Sequence, residues 1–440
     1  MIISFSVENW MSFRDPVSFS MVASRERQHG DRIPKVEKYQ MRILPVAAIY
    51  GANASGKTNF FKALNFVRNL VLEGTGHDKP IPVEPYRLAN GYTEKPSRFR
   101  IELLIDGTIY EFSFAATRRA VVEEKLIEIT STSEKTLYNR QGNEPNLHSS
   151  LGRKQFLLFA FQGTRDNQLF LTNSVSQKVY DFKPVYDWFG NSLGLIAPDS
   201  IYQRFGYLLD ENHPMRGAIN KIIPQLDTGI SHLGFEKIHF DSIPFEEGFK
   251  NDLNEKIEEG GYIDARLGNE RFVFTRTDGE IVANKLVTFH PRTDGTDAKF
   301  EFHQESEGSR RVIDLLPAFL GEPPFGLNRV YVVDELDRSL HPLLTRKLIE
   351  TYLAGCNAQS RAQLLFTTHD VSLMDQHLFR RDEMWVTEKN SEGNSDLFSF
   401  NDYKNIRYDK DIRKSYLQGR LGGVPRFFLS GTEVNPEDDG

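Results

Sequence analysis

Ile49-Tyr50-Gly51-Ala52-Asn53-Ala54-Ser55-Gly56-Lys57-Thr58-Asn59 places two glycines, a lysine and a threonine at the spacing G-x-x-x-x-G-K-[ST]. The residue types follow from the chemistry of a polyphosphate. Glycines let the backbone turn its N–H groups inward around the anion. Lys57 can reach the β- and γ-phosphates, and the Thr58 hydroxyl can hold Mg²⁺. Upstream, Val46-Ala47-Ala48-Ile49-Tyr50 reads as a short buried strand. Downstream, Phe60, Phe61, Leu64, Val67, Leu70 and Val71 fall on one helical face, and the helix is expected to end near Glu73-Gly74. Strand, glycine loop and helix N-terminus together form an anion site. The whole loop from Gly51 through Asn59 is therefore the candidate nucleotide-binding segment.

Around this segment the chain has 440 residues, enough for two or three lobes around large cores. A net charge of −7 argues against a broadly basic nucleic-acid coat and leaves room for a local basic patch. One cysteine, Cys356, excludes an intrachain disulfide framework and a cysteine-built metal cluster. No apolar run reaches the roughly 18 residues of a membrane span. Trp10, Arg14 and Asp15 break up any signal-peptide pattern. The expectation is a cytoplasmic protein with no membrane partner.

Taken in order, Ile3, Phe5 and Val7 alternate with Ser4, Ser6 and Glu8, and Val17–Val22 repeats the pattern after Asp15-Pro16, which predicts a hairpin. Residues 24–40 read as a polar loop. Phe99, Ile101 and Leu103, the turn signal Asp106-Gly107, then Tyr110, Phe112 and Phe114 predict antiparallel sheet over residues 96–130. Residues 150–260 read as an inserted, mostly helical lobe, with Gln177–Phe189 as one helical stretch. No sustained heptads mark a coiled-coil arm. Residues 431–440, acidic with Pro and Gly, predict a disordered tail.

In the second half, Val330-Tyr331-Val332-Val333-Asp334-Glu335 is an apolar strand ending in two acids. In an α/β sheet such an end lies beside the phosphate loop. Asp334 is the candidate Mg²⁺ ligand and Glu335 the candidate base for the attacking water. Alone, the pair reads equally as a solvated acidic turn. Gln363-Leu364-Leu365-Phe366-Thr367-Thr368-His369-Asp370 is a further buried strand, with His369 placed to contact a γ-phosphate. A lone histidine is more often a satisfied polar residue. The order of loop, acids and histidine favours a shared site. Gln304-Glu305-Ser306-Glu307-Gly308-Ser309-Arg310-Arg311 runs into a helix whose N-terminus, at Ser306 and Gly308, is ready for an anion. By itself it is also an ordinary capped helix.

This order resembles the ATP-binding-cassette ATPases of the SMC, Rad50 and RecF kind. The resemblance makes Gly51–Thr58 a Walker A loop, Asp334-Glu335 a Walker B end, Ser339-Leu340-His341-Pro342 a D-loop and His369 a histidine switch. Ser306-Glu307-Gly308-Ser309 would be a degenerate signature without the usual paired glycines. The glutamine loop stays open among Gln141, Gln162 and Gln168. Closer still is a resemblance to the subfamily labelled AAA15 or RloA-like. It is carried by Glu8-Asn9-Trp10-Met11-Ser12-Phe13, Gln304–Arg310, Asp334–Pro342 and Tyr416-Leu417-Gln418-Gly419-Arg420-Leu421-Gly422-Gly423-Val424-Pro425.

The resemblance implies an α/β, ABC-type P-loop NTPase head with an antiparallel β subdomain. It would be a single head over residues 1–430, assembled from 1–130 and 290–430, with the helical lobe at about 150–260 inserted. It implies ATP and Mg²⁺ as ligands, Ser306 and Gly308 acting on nucleotide across a homodimer, and an ATP switch in anti-phage defence. A separate effector, a Toprim-type nuclease for instance, would be the partner, with a higher oligomer left open. The alternatives are a RecF-like repair ATPase and, less favoured, a chain carrying its own Toprim-like site at Glu388, Asp409 and Asp411. The stretch Tyr403–Tyr408 with Lys410, Arg413, Lys414 and Arg420 is a candidate patch for nucleic acid or an acidic partner. It reads first as a solvated helix face.

Overall fold

The computed structural model describes residues 1–142, 144–151, 154–199, 205–320, 329–403 and 411–424. Asp409, most of the basic stretch after Tyr403, Pro425 and the tail 431–440 lie outside these residues.

The strand Val46–Tyr50 is buried along its whole length because it is the interior of a six-stranded sheet. Its neighbours are Gln363–Thr367 on one side and Met384–Lys389 on the other, both parallel to it. Val330–Val333 pairs parallel with Gln363–Thr367, and Ser395–Ser399 closes the far edge antiparallel. Both faces of this sheet are covered, so its strands read as continuous apolar runs. Side chains alternate between two cores. Ala47, Ile49, Val332 and Leu365 enter one; Val46, Ala48, Tyr331, Val333, Leu364 and Phe366 enter the other.

A seven-stranded antiparallel sheet lies against the first core. Ile2–Glu8 pairs with Val17–Ser20 in the expected hairpin and with Ser97–Ile105 on its other side. Asp106 and Gly107, at φ 47° and 76°, form the tight turn into Thr108–Ala116. The loop helix Lys57–Leu72 is packed here: Phe60 meets Phe5 and Phe19 edge-on at 5.5 and 5.3 Å. Such aromatic pairs are worth about 0.5–1.5 kcal/mol each beyond area burial. The helix stops at Leu72, with Gly74 following at φ 65°.

Residues 150–260 are richer in helix than in strand, but the head is not assembled only from 1–130 and 290–430. Leu193–Ile196, inside that stretch, is the edge strand of the central sheet, paired with Val330–Val333. Its four residues carry too little pattern to separate them from a loop. Gln177–Phe189 is also not one helix. The helix Phe170–Ser176 ends at Gln177, Lys178 sits at φ 62°, and helix resumes at Lys183–Asp187. Beyond it, His232–Ile238, Tyr262–Leu267, Glu270–Thr277, Glu280–Pro291 and Asp297–Glu301 make a separate antiparallel sheet around a small core of Phe272, Phe274 and Leu253.

Candidate functional site

The loop 51–56 leaves the end of Val46–Tyr50 and enters the helix at Lys57, as the spacing predicts. Gly51 has φ 148°, and a Cβ there would stand 2.5 Å from the Thr387 carbonyl oxygen. No other residue fits that approach. Ser55 Oγ and Thr387 Oγ1, 2.6 Å apart and buried, pin the loop to its neighbouring strand. Asn53 and Ala54 are exposed at the loop's tip. On the outer side, Asn59 donates to Ser12 Oγ at 2.8 Å and its carbonyl accepts from the Trp10 indole at 3.0 Å. The Glu8–Phe13 turn therefore braces the start of the helix.

Lys57 is buried, and its ammonium donates to the carbonyls of Gly51 and Ala52 at 2.7 and 3.0 Å. Burial lowers its pKa to about 8, against the opposing pull of Asp334, Asp337 and Glu335. Those three acids and His369 thus share one neighbourhood with the loop lysine. His369 Nδ1 lies 3.4 Å from Lys57 Nζ. Burial first, and then the Lys57 charge, lower the His369 pKa below its ordinary value. Its backbone N–H donates to the Asp337 carboxylate at 3.2–3.3 Å.

Asp334 is fully buried. Its Oδ1 accepts from the Thr367 hydroxyl at 2.6 Å, while Oδ2 has no hydrogen-bond partner. A buried carboxylate oxygen left unpaired is costly unless a ligand completes it. Among the described residues no cluster of three or more His, Cys, Asp or Glu side chains could hold a metal alone. Mg²⁺ needs no such cluster: one carboxylate, one hydroxyl, substrate oxygens and water suffice. Asp334 and Thr58, whose hydroxyl makes no hydrogen bond among the described residues, fit that donor set. Glu335 is half-buried at φ 49°, a left-handed conformation rare for a residue with a side chain.

Ser306 and Gly308 are not joined to this loop by any hydrogen bond among the described residues. Ser306 caps the helix Glu307–Phe319, accepting from the Ser309 N–H at 3.0 Å. Gly308 packs on the segment after the acids; a Cβ there would stand 2.8 Å from the Ser339 carbonyl oxygen. Ser339 Oγ in turn donates to Glu307 at 2.8 Å. None of the glutamine candidates is hydrogen-bonded to the loop either: Gln141 lies in the antiparallel sheet, Gln162 ends a helix, and the Gln168 carbonyl accepts from Arg140.

Glu388 is in the strand Met384–Lys389, opposite Asp396, and Asp411 caps the helix Ile412–Leu417. Sequence reasoning passed over two site threonines, Thr367 and Thr387. Thr367 is followed at once by Thr368, so nothing local marks it as the hydroxyl that meets the acids.

The family model described as "AAA domain, putative AbiEii toxin, Type IV TA system" matches residues 46–375, from the strand before the loop to beyond His369. The chain belongs to this AAA family. Among solved structures, the SMC head domain from Thermotoga maritima matches with 12% identity, covering 90% of this chain and 98% of that one, at a TM-score of 0.37. No curated protein matches. The AAA-family chain is a mixed α/β protein of the P-loop NTPase class, and its loop, acid turn and histidine all fall within the matched span. No helix among its described residues is long and apolar enough to cross a membrane.

Proposed function

We propose that this chain binds and hydrolyses ATP with Mg²⁺ and works as a dimeric switch. The observation that carries the reading is Asp334, buried, with one oxygen fixed by Thr367 and the other unpaired, in the neighbourhood of Lys57. Loop amides and the Lys57 ammonium hold the triphosphate. Thr58 and Asp334 hold Mg²⁺, which when bound offsets phosphate charge. Glu335 accepts the proton of the attacking water. His369, held neutral by burial and by Lys57, offers a ring nitrogen at the γ-phosphate position without adding charge.

In this reading Ser306 and Gly308, remote from the loop's hydrogen bonds, close the site of a second copy. The resemblance to RloA-like ATPases supports a role as the ATPase component of a bacterial anti-phage module with a separate effector, a Toprim-type nuclease being the first candidate. The test is hydrolysis of ATP by the purified chain with Mg²⁺, with Lys57→Ala as control. Wild-type protein without turnover, alone and with its co-purified partner, would overturn the reading. Turnover stimulated by DNA in the absence of any partner would move it toward a RecF-like repair enzyme.

A further inference from the structure

Thr367 sits on the strand next to the acid turn and makes three hydrogen bonds to three consecutive residues of that turn. Its hydroxyl donates to Asp334 Oδ1 at 2.6 Å. The same hydroxyl accepts from the Glu335 N–H at 2.8 Å. Its carbonyl accepts from the Leu336 N–H at 3.0 Å. Thr367 is itself buried, as is Asp334. One hydroxyl with a single proton can donate once and accept from the other side, so both bonds are satisfied together.

The two hydroxyl bonds have separate consequences. The first fixes the Asp334 carboxylate through Oδ1 and so sets where the unpartnered Oδ2 points. The second holds the backbone of Glu335 at φ 49°, a left-handed conformation that a residue with a side chain keeps only when its surroundings enforce it. Valine has nearly the same shape as threonine and offers neither bond. Ser55–Thr387 performs a different task, tethering the loop rather than the acids.

We propose that Thr367 is the positioning residue of the site: its hydroxyl orients Asp334 as the metal ligand and sets the Glu335 backbone, so that metal affinity and base geometry depend on one side chain. The proposal rests on the nucleotide reading above. Groups that orient a metal-binding carboxylate are commonly worth about 10–100-fold in metal affinity.

The experiment is Mn²⁺ binding, followed by the electron paramagnetic resonance of free Mn²⁺, to full-length protein saturated with a non-hydrolysable ATP analogue. Thr367→Val is expected to bind the analogue in EDTA as wild type does and to bind Mn²⁺ about tenfold or more weakly. Thr367→Ser, which keeps the hydroxyl, is expected to match wild type. In an Asp334→Asn background, Thr367→Val is expected to add little, because the two act through one ligand. Unchanged Mn²⁺ affinity in Thr367→Val overturns the proposal. So does a folded Thr367→Ser protein with the full loss, which remains decisive if the valine variant does not fold. Wild-type protein that takes up no Mn²⁺ with the analogue overturns the nucleotide reading itself, a result separable from either of these.

Discussion

The ammonium of Lys57 stands 3.4 Å from Nδ1 of His369; burial lowers the pKa of both groups, and the Lys57 charge lowers that of His369 further. With the Lys57 pKa at about 8, the lysine is charged at neutral pH and the imidazole is neutral, an arrangement in which Lys57 donates to the ring. A triphosphate would favour the charged lysine. At pH 9, ATP binding is therefore expected to take up close to one proton in the wild type and none at this position in Lys57→Arg. Calorimetry in two buffers of different ionisation enthalpy reads the difference. The same shift has a sign for stability. The folded value lies below the unfolded 10.5, so the unfolded chain binds more protons between about pH 8 and 10.5; the buried lysine costs the free protein stability below that window, and the cost is relieved as pH rises through it.

Glu335→Gln keeps the size of the side chain and the backbone bond to Thr367 while removing the base. ATP is expected to bind as in the wild type and to remain unhydrolysed, with turnover lower by about 10²–10⁴-fold. Normal turnover would move the base to Asp337 or His369. Lys57→Ala is expected to differ by losing binding itself, read with a fluorescent ATP analogue.

Gly51→Ala and Gly308→Ala separate the loop from the proposed signature segment. The first drives a Cβ to 2.5 Å from the Thr387 carbonyl at φ 148°. It is expected to cost about 1–3 kcal/mol of stability and to abolish analogue binding. The second drives a Cβ to 2.8 Å from the Ser339 carbonyl. It is expected to leave analogue binding intact and to lower hydrolysis, as a thermal melt and a turnover assay run together will show.

A site closed by two chains predicts complementation. Ser306→Arg chains and Lys57→Ala chains, each inactive alone, are expected to recover some hydrolysis when mixed, because one composite site regains both groups. If turnover needs both sites, cysteines placed on the Lys57 side and the Ser306 side are expected to crosslink between chains only with ATP. A monomeric mass for Glu335→Gln in ATP, with crosslinks only inside one chain, would exclude the shared site.

The loop, the acid pair and the histidine were legible because each lies at the end of a buried strand whose apolar run is unmistakable, and because glycine spacing encodes a backbone shape. Thr367 was not, since its role is a pairing between strands whose residues are 33 positions apart, and register across a sheet leaves no local trace. Leu193–Ile196 escaped for a different reason: a four-residue edge strand contributes its backbone more than its side chains. The sheet from His232 to Glu301 carries polar and charged residues on much of its length, so its alternation was diluted.

That edge strand has a bearing on how the protein can be cut. The Asp334 N–H donates to the Ile196 carbonyl at 2.9 Å, so the backbone leading into the acid turn is bonded to a segment that arrives from the middle of the chain. A minimal chain made by replacing residues 150–260 with a short linker would look economical on a map of the sequence. It would strip a strand from the sheet and leave the main chain at Asp334 without its anchor. Excision has to spare Leu193–Ile196, whose backbone holds the main chain at Asp334 in place.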